Sequence, residues 1–160
     1  MIVIGITGSI GMGKTTIAQM LKRFNIPIFD SDKEVKDILE NNNLVKDKVH
    51  QLWPDVILTQ ANVKKIDKNL LSIKIFSDSD NRKILENIVH PLVQERRNCF
   101  IKSPNKSFII ALDVPLLYET GTDKVCDDIF LIYTSEKKQE ARVLARPNMT
   151  PQKFNFIKKS

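Results

Sequence analysis

The sequence has little that would mark an exported or membrane-bound protein. It contains only two cysteines in 160 residues, Cys99 and Cys126, and their spacing is not that of a C-x-x-C pair. No apolar run approaches the ~20 residues that a membrane helix requires. The first residues enter an apolar run directly, without the basic segment and cleavage site of an export signal. We therefore expect a cytoplasmic protein with no membrane partner and with two reduced, partly buried thiols.

A long basic tract is also absent, although the formal net charge is +6. The basic residues include scattered pairs, for example Lys137 with Lys138, and such pairs are usually solvated surface. A net positive charge without a run of basic residues is typical of proteins that bind phosphorylated small molecules, so we expect no nucleic-acid partner. With 160 residues and 42% hydrophobic side chains, the chain is large enough for one domain with a buried core.

The most informative segment is a glycine-rich loop at residues 8–15, G-S-I-G-M-G-K-T, which matches the pattern G-x-x-x-x-G-K-[ST]. A β-branched run at residues 2–7 predicts a strand before it, and apolar side chains at helical spacing in residues 17–24 predict a helix after it. Glycines let the backbone curl, so that successive N–H groups and the helix N-terminus face one polyphosphate. A glycine-rich turn with a solvated Lys14 is the alternative, but the flanking strand and helix favour nucleotide binding.

Two side chains of this segment are suited to phosphate and metal chemistry. Lys14 can place a full positive charge near the β- and γ-phosphates of a nucleotide, and Thr15 can offer its hydroxyl to Mg²⁺. The residues that we expect to bind the nucleotide here are Gly8, Gly11, Met12, Gly13, Lys14, Thr15 and Thr16.

Acidic side chains follow two further predicted strands. Residues 26–30 and residues 108–113 are largely apolar runs that each end in an aspartate, and Asp32 follows the first of them closely. Ligands of open α/β sheets bind at the carboxyl ends of the strands, so Asp32 and Asp113 are candidate site residues. Asp113 resembles the aspartate that holds Mg²⁺ after a buried strand in phosphate-loop enzymes. Ser31 or Asp32 could equally cap the helix that is predicted to follow.

The order of these elements predicts an α/β fold with a doubly wound parallel sheet of the phosphate-loop NTPase type. We expect a single domain whose core comprises residues 1–30 and 107–134, with a fourth strand at residues 129–133. Helical spacing predominates between residues 31 and 106, so we expect a helical insertion there. A kink or break is expected at His90 because a proline follows it.

The C-terminal part is predicted to be helical, from about residue 135 to 145 and again after Thr150. Phosphate-loop sheets normally have five core strands and only four are predicted here, so we expect that a C-terminal strand and helix are missing. Apolar side chains on the last helix, including Phe154 and Phe156, need a surface to bury against. We therefore expect this chain to bind ATP with weak activity or marginal stability.

These motifs, taken in order along nearly the whole chain, resemble those of the dephospho-coenzyme A kinase family. The resemblance implies that ATP, with Mg²⁺, donates its γ-phosphoryl group to the ribose 3′-hydroxyl of dephospho-coenzyme A, the last step of coenzyme A synthesis. It also implies that residues 31–106 carry much of the acceptor site and that residues 135–160 form a lid over ATP. The matching segments are residues 4–16 (I-G-I-T-G-S-I-G-M-G-K-T-T), 28–32 (I-F-D-S-D), 85–92 (L-E-N-I-V-H-P-L), 112–119 (L-D-V-P-L-L-Y-E) and 142–146 (R-V-L-A-R).

The resemblance also implies roles for individual residues. It implies that Asp32 orients the acceptor hydroxyl and takes its proton. It implies that Arg142 and Arg146, four residues apart on one helix, meet the γ-phosphate of ATP. Solvated arginines paired with Glu136 and Glu140 are the alternative. The implied catalytic residues are Asp32, Lys14 and Arg142, Arg146 joins the ATP-binding residues, and the implied acceptor-site residues are Asp32, His90, Asp113 and Leu116.

Other functions stay open at this point. Another phosphate-loop small-molecule kinase, or a nucleoside monophosphate kinase, would share the loop and the lid but not the H-P-L and D-V-P-L-L segments together. A nucleotide-dependent switch of the GTPase kind would need an N-K-x-D motif, and residues 105–108 read N-K-S-F. A binding module or an inactive fragment is the third alternative. We expect the chain to be a monomer.

Overall fold

The computed structural model describes residues 1–60, 63–104, 107–147 and 149–159. Residues 105 and 106 of the N-K-S-F segment and the side chain of Phe156 lie outside the described residues. The chain divides into two compact units, Met1–Asp30 with Ser103–Ser160, and Ser31–Lys102. Among the helices of the described ranges, none combines the length and the apolar character needed to cross a membrane.

The helices and strands of both units follow one another along the chain. Their order is β1 (Ile2–Thr7), α1 (Lys14–Arg23), β2 (Ile28–Asp30), α2 (Ser31–Asn41), α3 (Asn43–Leu52), a 3₁₀ turn (Pro54–Val56), β3 (Ile57–Gln60), β4 (Val63–Ile66), α4 (Lys68–Ser77), α5 (Ser79–Lys102), β5 (Ile109–Asp113), a 3₁₀ turn (Thr122–Val125), β6 (Asp128–Leu131), α6 (Glu136–Leu144) and α7 (Pro151–Lys159).

The first unit is built on a four-stranded sheet with the strand order β2-β5-β1-β6. All three neighbouring pairs are parallel. The two central strands are almost wholly aliphatic, as expected for strands covered on both faces, and they supply the fully buried Ile6, Ile110 and Leu112. The predicted α/β class with a parallel phosphate-loop sheet is confirmed, and all four predicted strands occur close to their expected bounds.

The second unit consists of helices α2 to α5 and a β-hairpin, packed around one cluster of apolar side chains. Ile38 of α2, Val49 of α3, Leu71 of α4 and Val89 of α5 are all buried in this cluster. Each helix therefore contributes its apolar face to one core, which is what the helical spacing of these residues predicts.

Two features of the second unit differ from the sequence prediction, which had no strands between residues 31 and 106 and expected a kink or break at His90. Strands β3 and β4 form an antiparallel hairpin in which Ile57 lies opposite Ile66. Each strand has only four residues, and the buried Ile66 packs on the helices, so the hairpin depends on contacts that the local sequence does not show. Helix α5 continues through Pro91, so the chain does not break at His90, and a kink there stays a prediction. Its 24 residues retain the remaining backbone hydrogen bonds, which outweigh the one that the proline removes.

Two expectations about side chains in other parts of the chain are also resolved. Cys99 is exposed, although a partly buried thiol was expected, and Cys126 is half-buried; neither forms a disulfide in the described part of the chain. Phe154 of α7 is buried in the first unit, and Lys158 of the same helix pairs with Glu136 of α6. The last helix therefore already packs on α6.

Candidate active site

The glycine-rich loop between β1 and α1 adopts a conformation that only glycine supports easily. Gly8, Gly11 and Gly13 have φ values of 150°, 77° and 106°. A Cβ atom on Gly8 would also lie 2.5 Å from the backbone oxygen of Ile132. Glycine is therefore required here for two reasons: the loop has positive φ angles, and at Gly8 it lies very close to the backbone of Ile132.

The N-terminus of α1 opens directly from this loop. Gly13 is its N-cap and has no side chain that could accept a hydrogen bond from the first turn, and that turn contains no acidic residue. The orphan N–H groups and the positive end of the helix dipole are thus turned toward the loop without an anionic side chain to neutralise them. This arrangement is suited to a phosphate.

Lys14 bends back over the loop from the first position of α1. Its Nζ donates a hydrogen bond to the carbonyl oxygen of Gly8. The side chain thereby links the two ends of the loop and places its charge beside the loop backbone. Thr15 and Thr16 follow it in the first helical turn and are exposed.

Helix α6 and the residues before it support the loop from outside. The Nε2 of Gln139 donates to the carbonyl oxygen of Ile10 at 2.8 Å, and the backbone N–H of Thr134 donates to Sδ of Met12 at 3.3 Å. Gln139 is only 1% exposed. The sequence did not single out Gln139, because a glutamine among lysines and glutamates on a helix gives no signal of its own.

The two arginines of the predicted lid occupy different positions. Nη1 of Arg142 on α6 lies 3.5 Å from the carbonyl oxygen of Gly11, so this guanidinium reaches the loop. Glu136 pairs with Lys158 instead of an arginine, and that hydrogen bond holds the pKa of Glu136 below its usual value. Arg146 lies beyond Leu144, the last residue of α6, so the expectation that both arginines share one helix face is wrong.

The carboxyl ends of three strands bring two aspartates to the edge of the sheet where the loop begins. Asp30 of β2 lies opposite Asp113 of β5, and Asp113 lies opposite Ile6 of β1. Neighbouring strands are about 4.8 Å apart, so the two carboxylates belong to one small region. Beyond β5 the chain turns away, and Leu116 in this turn is exposed.

Asp32 and His90, two of the predicted acceptor-site residues, belong to the second unit. Asp32 lies in the first turn of α2, two residues after the end of β2, and His90 is half-buried on α5. Helix α2 is held to α5 by Arg96, whose Nη1 lies 2.8 Å from Glu34 and 2.6 Å from Asp37. The pKa of Asp37 is held below its usual value, mainly by the hydrogen bond from Arg96 and to a smaller extent by that from Asn41.

The oxygen donors of the first unit fit Mg²⁺. Thr15 offers a hydroxyl and Asp113 a carboxylate, and both are ligand types that this ion prefers. In the described part of the chain, no group of three or more His, Cys, Asp or Glu residues is placed to hold a metal.

Comparisons with known proteins agree in one family. The sequence profile of the family described as Dephospho-CoA kinase matches residues 2–160. A dephospho-CoA kinase of Rhodopseudomonas palustris (strain HaA2) is 38% identical over 159 residues, which cover 98% of this chain and 77% of that protein. The crystal structure of TT1252 from Thermus thermophilus has a TM-score of 0.82 at 28% identity, covering 99% of this chain and 78% of that one.

A second solved structure supports the fold. The dephospho-CoA kinase from Campylobacter jejuni has a TM-score of 0.64 at 23% identity, covering 98% of this chain and 82% of that one. The family match spans both units and includes every motif on which the resemblance rested. The comparisons therefore do not favour the alternatives of a nucleoside monophosphate kinase or a switch protein. The chain belongs to the dephospho-CoA kinase family: it is an ATP-dependent enzyme that phosphorylates the ribose 3′-hydroxyl of dephospho-CoA in the final step of coenzyme A biosynthesis.

Proposed function

We propose that the glycine-rich loop, Lys14 and Arg142 hold the triphosphate of ATP while Asp32 presents the acceptor hydroxyl. The observation that carries this proposal is the loop itself: three glycines with positive φ, a helix N-terminus whose N-cap residue is a glycine, and the Lys14 ammonium group at the loop backbone. Phosphoryl transfer depends mainly on positioning and on neutralising charge, and these groups supply both.

Each step of the transfer can be given to residues of this chain. The loop N–H groups and Lys14 bind the β- and γ-phosphates, and Arg142 reaches the γ-phosphate from α6. Asp32 accepts a hydrogen bond from the 3′-hydroxyl and takes its proton as the new P–O bond forms. The bond between the γ-phosphorus and the β–γ bridging oxygen breaks, and ADP leaves.

Thr15 is the residue that we propose as the protein ligand of Mg²⁺, with Asp113 as a second ligand or a partner of its water. Held there, the ion would supply positive charge that offsets the negative charge of the ATP phosphates. Both residues stand in the first unit, with Thr15 at the start of α1 and Asp113 at the end of β5.

The two units have separate tasks in this proposal. Residues 1–30 and 107–134 form the ATP-binding core, residues 31–106 bind the acceptor, and residues 135–160 close over ATP as a lid. The other proposed ATP contacts are Gly8, Gly11, Met12, Gly13, Thr16 and Arg146, and the other proposed acceptor contacts are His90, Asp113 and Leu116. We propose that one chain suffices for the reaction, in the cytoplasm and without a nucleic-acid partner.

A coupled ADP-release assay tests this proposal with an acceptor panel of dephospho-CoA, adenosine, AMP and shikimate. We expect kcat/KM to be highest for dephospho-CoA. Lys14→Ala should lower it at least about a hundredfold, because a preorganised charge on the phosphates is lost. Lys22→Ala, at the other end of α1, is the matched control and should retain activity. Full turnover in Lys14→Ala would overturn the proposed role of the loop.

A further inference from the structure

We propose that Gln139 is a positioning residue for ATP: its side-chain amide fixes the phosphate loop from α6. This inference rests on the proposed role of the loop and adds a residue to it. Gln139 touches neither the helix N-terminus nor Lys14 in any hydrogen bond of the described residues; its Nε2 reaches the backbone of Ile10, in the middle of the loop.

The orientation of the Gln139 amide follows from its partner. The carbonyl oxygen of Ile10 can only accept a hydrogen bond, so the atom 2.8 Å away must be the NH₂ group of the glutamine. The loop also lies directly against α6: a Cβ on Gly11 would be 2.5 Å from Cγ2 of Val143 and 3.2 Å from the backbone oxygen of Gln139. The helix therefore fixes both the position and the rotation of this part of the loop.

The hydrogen bond determines where a loop amide points. In a trans peptide the C=O and the N–H project in opposite directions. Because the Ile10 carbonyl is held toward Gln139, the N–H of the same peptide, which belongs to Gly11, is held away from α6. Backbone N–H groups of such loops are the donors that a polyphosphate meets, so Gln139 presets one of them before ATP arrives.

The side-chain carbonyl of Gln139 indicates that the hydrogen bond from Gln139 to Ile10 serves ATP binding more than folding. The Oε1 of Gln139 is buried, and no donor among the described residues lies within hydrogen-bond distance of it. A buried acceptor without a donor destabilises the folded state, and an apolar side chain of the same shape would remove that cost. Gln139→Met removes this cost but also takes away the donor of the Ile10 carbonyl, so the two effects offset each other and the variant should fold about as well as the natural chain while losing the bond to the loop.

Steady-state kinetics with varied ATP and varied dephospho-CoA, together with thermal melts, distinguish a role of Gln139 in ATP binding from a role in folding. For Gln139→Met we expect a melting temperature close to that of the natural chain. Its KM for ATP should rise roughly three- to tenfold, the value of one hydrogen bond, while kcat and the KM for dephospho-CoA change less than about twofold. Gln19→Met, an exposed glutamine on α1, is the matched control and should change none of these values.

A second variant, Gln139→Glu, gives a pH-dependent KM for ATP that a change in side-chain packing alone would not produce. Gln139→Glu keeps the shape but sets a carboxylate against the Ile10 carbonyl, so its KM for ATP should be higher than that of Gln139→Met at about pH 8 and should fall toward about pH 6 as the carboxyl group becomes a donor. An unchanged KM for ATP in both variants overturns the inference. If Lys14→Ala still loses activity in that case, the proposed role of the loop survives; if Lys14→Ala also keeps its activity, both fail.

Discussion

Gly11 shows at the scale of one residue how closely the phosphate loop is built. Its φ of 77° is costly for any residue with a Cβ, and that Cβ would meet both a side chain and the backbone of α6. Gly121 offers a comparison within the same chain, because it has a similar φ of 65° and nothing within 4 Å of the same added atom.

Gly11→Ala should therefore be more damaging than Gly121→Ala. We expect about 1–2 kcal/mol of lost folding free energy in both variants from the left-handed backbone. Gly11→Ala should lose more than that and should also bind ATP more weakly. Urea unfolding and ATP titration of both variants measure the difference. Equal losses of folding free energy and of ATP affinity in the two variants would show that α6 shifts to accommodate the extra methyl group and that the loop tolerates it.

Asp32 is the residue for which two explanations were open, a helix cap and a catalytic acid. Asp32→Asn keeps the shape and a capping oxygen while removing the charge and the ability to take a proton. We expect kcat with dephospho-CoA to fall by about 10²–10⁴, the usual worth of general-base help, while the KM for ATP and the melting temperature stay nearly constant.

Asp80→Asn is the matched control for Asp32→Asn. Asp80 is likewise an acidic residue in the first turn of a helix, α5, so its substitution reports what a carboxylate in that position contributes to helix stability. The expected result is a small change in melting temperature and a normal kcat. A lowered melting temperature and a retained kcat in Asp32→Asn would make Asp32 a cap and would move the search for the base to Asp30 or Asp113.

At the scale of helices, the Arg96 contacts with Glu34 and Asp37 join α5 to α2, the helix that carries Asp32. The pKa of Asp37 is lowered in the folded state, above all by the hydrogen bond from Arg96. A carboxyl group whose folded pKa lies below its unfolded value of about 3.9 adds stability above that pH, and the contribution disappears as the pH falls through the folded pKa.

Arg96→Met should therefore lower the melting temperature at neutral pH, and its difference from the natural chain should shrink below about pH 4. Arg82→Met is the control, because Arg82 pairs with Glu86 as an exposed i, i+4 pair on the same helix, and such pairs contribute little. Thermal melts from pH 7 to pH 3 measure both variants. A difference that stays constant with pH would assign the effect to packing of the arginine stem.

The sequence predicted those elements whose signal is local. The strand, loop and helix of residues 2–24 follow from β-branched residues, glycines and helical spacing, and all three are observed. The hairpin of β3 and β4 was missed because its pairing depends on burial of Ile66 among helices distant in sequence. Gln139 was missed for the same reason: its importance comes from the Ile10 carbonyl, 129 residues away along the chain.

At the scale of the whole molecule, one edge of the parallel sheet exposes apolar side chains on which a second copy of the chain can associate. Strand β6 is the last in the order β2-β5-β1-β6, and two of its side chains, Phe130 and Leu131, are exposed apolar groups. An exposed apolar edge strand offers backbone N–H and C=O groups on which another chain can pair. The apolar side chains add burial to that pairing, so heating should lead to aggregation through this edge.

Leu131→Lys should raise the temperature at which this chain begins to scatter light, because a charge on an edge strand opposes pairing with a second copy. Leu44→Lys is the control: Leu44 is 75% exposed against 71% for Leu131, but it lies on helix α3 and not on a strand at the edge of a sheet. The two substitutions add the same charge and remove similar apolar area, so only the edge distinguishes them. An equal gain in both variants would assign aggregation to exposed apolar surface in general, and no gain in Leu131→Lys would show that β6 does not take part in it.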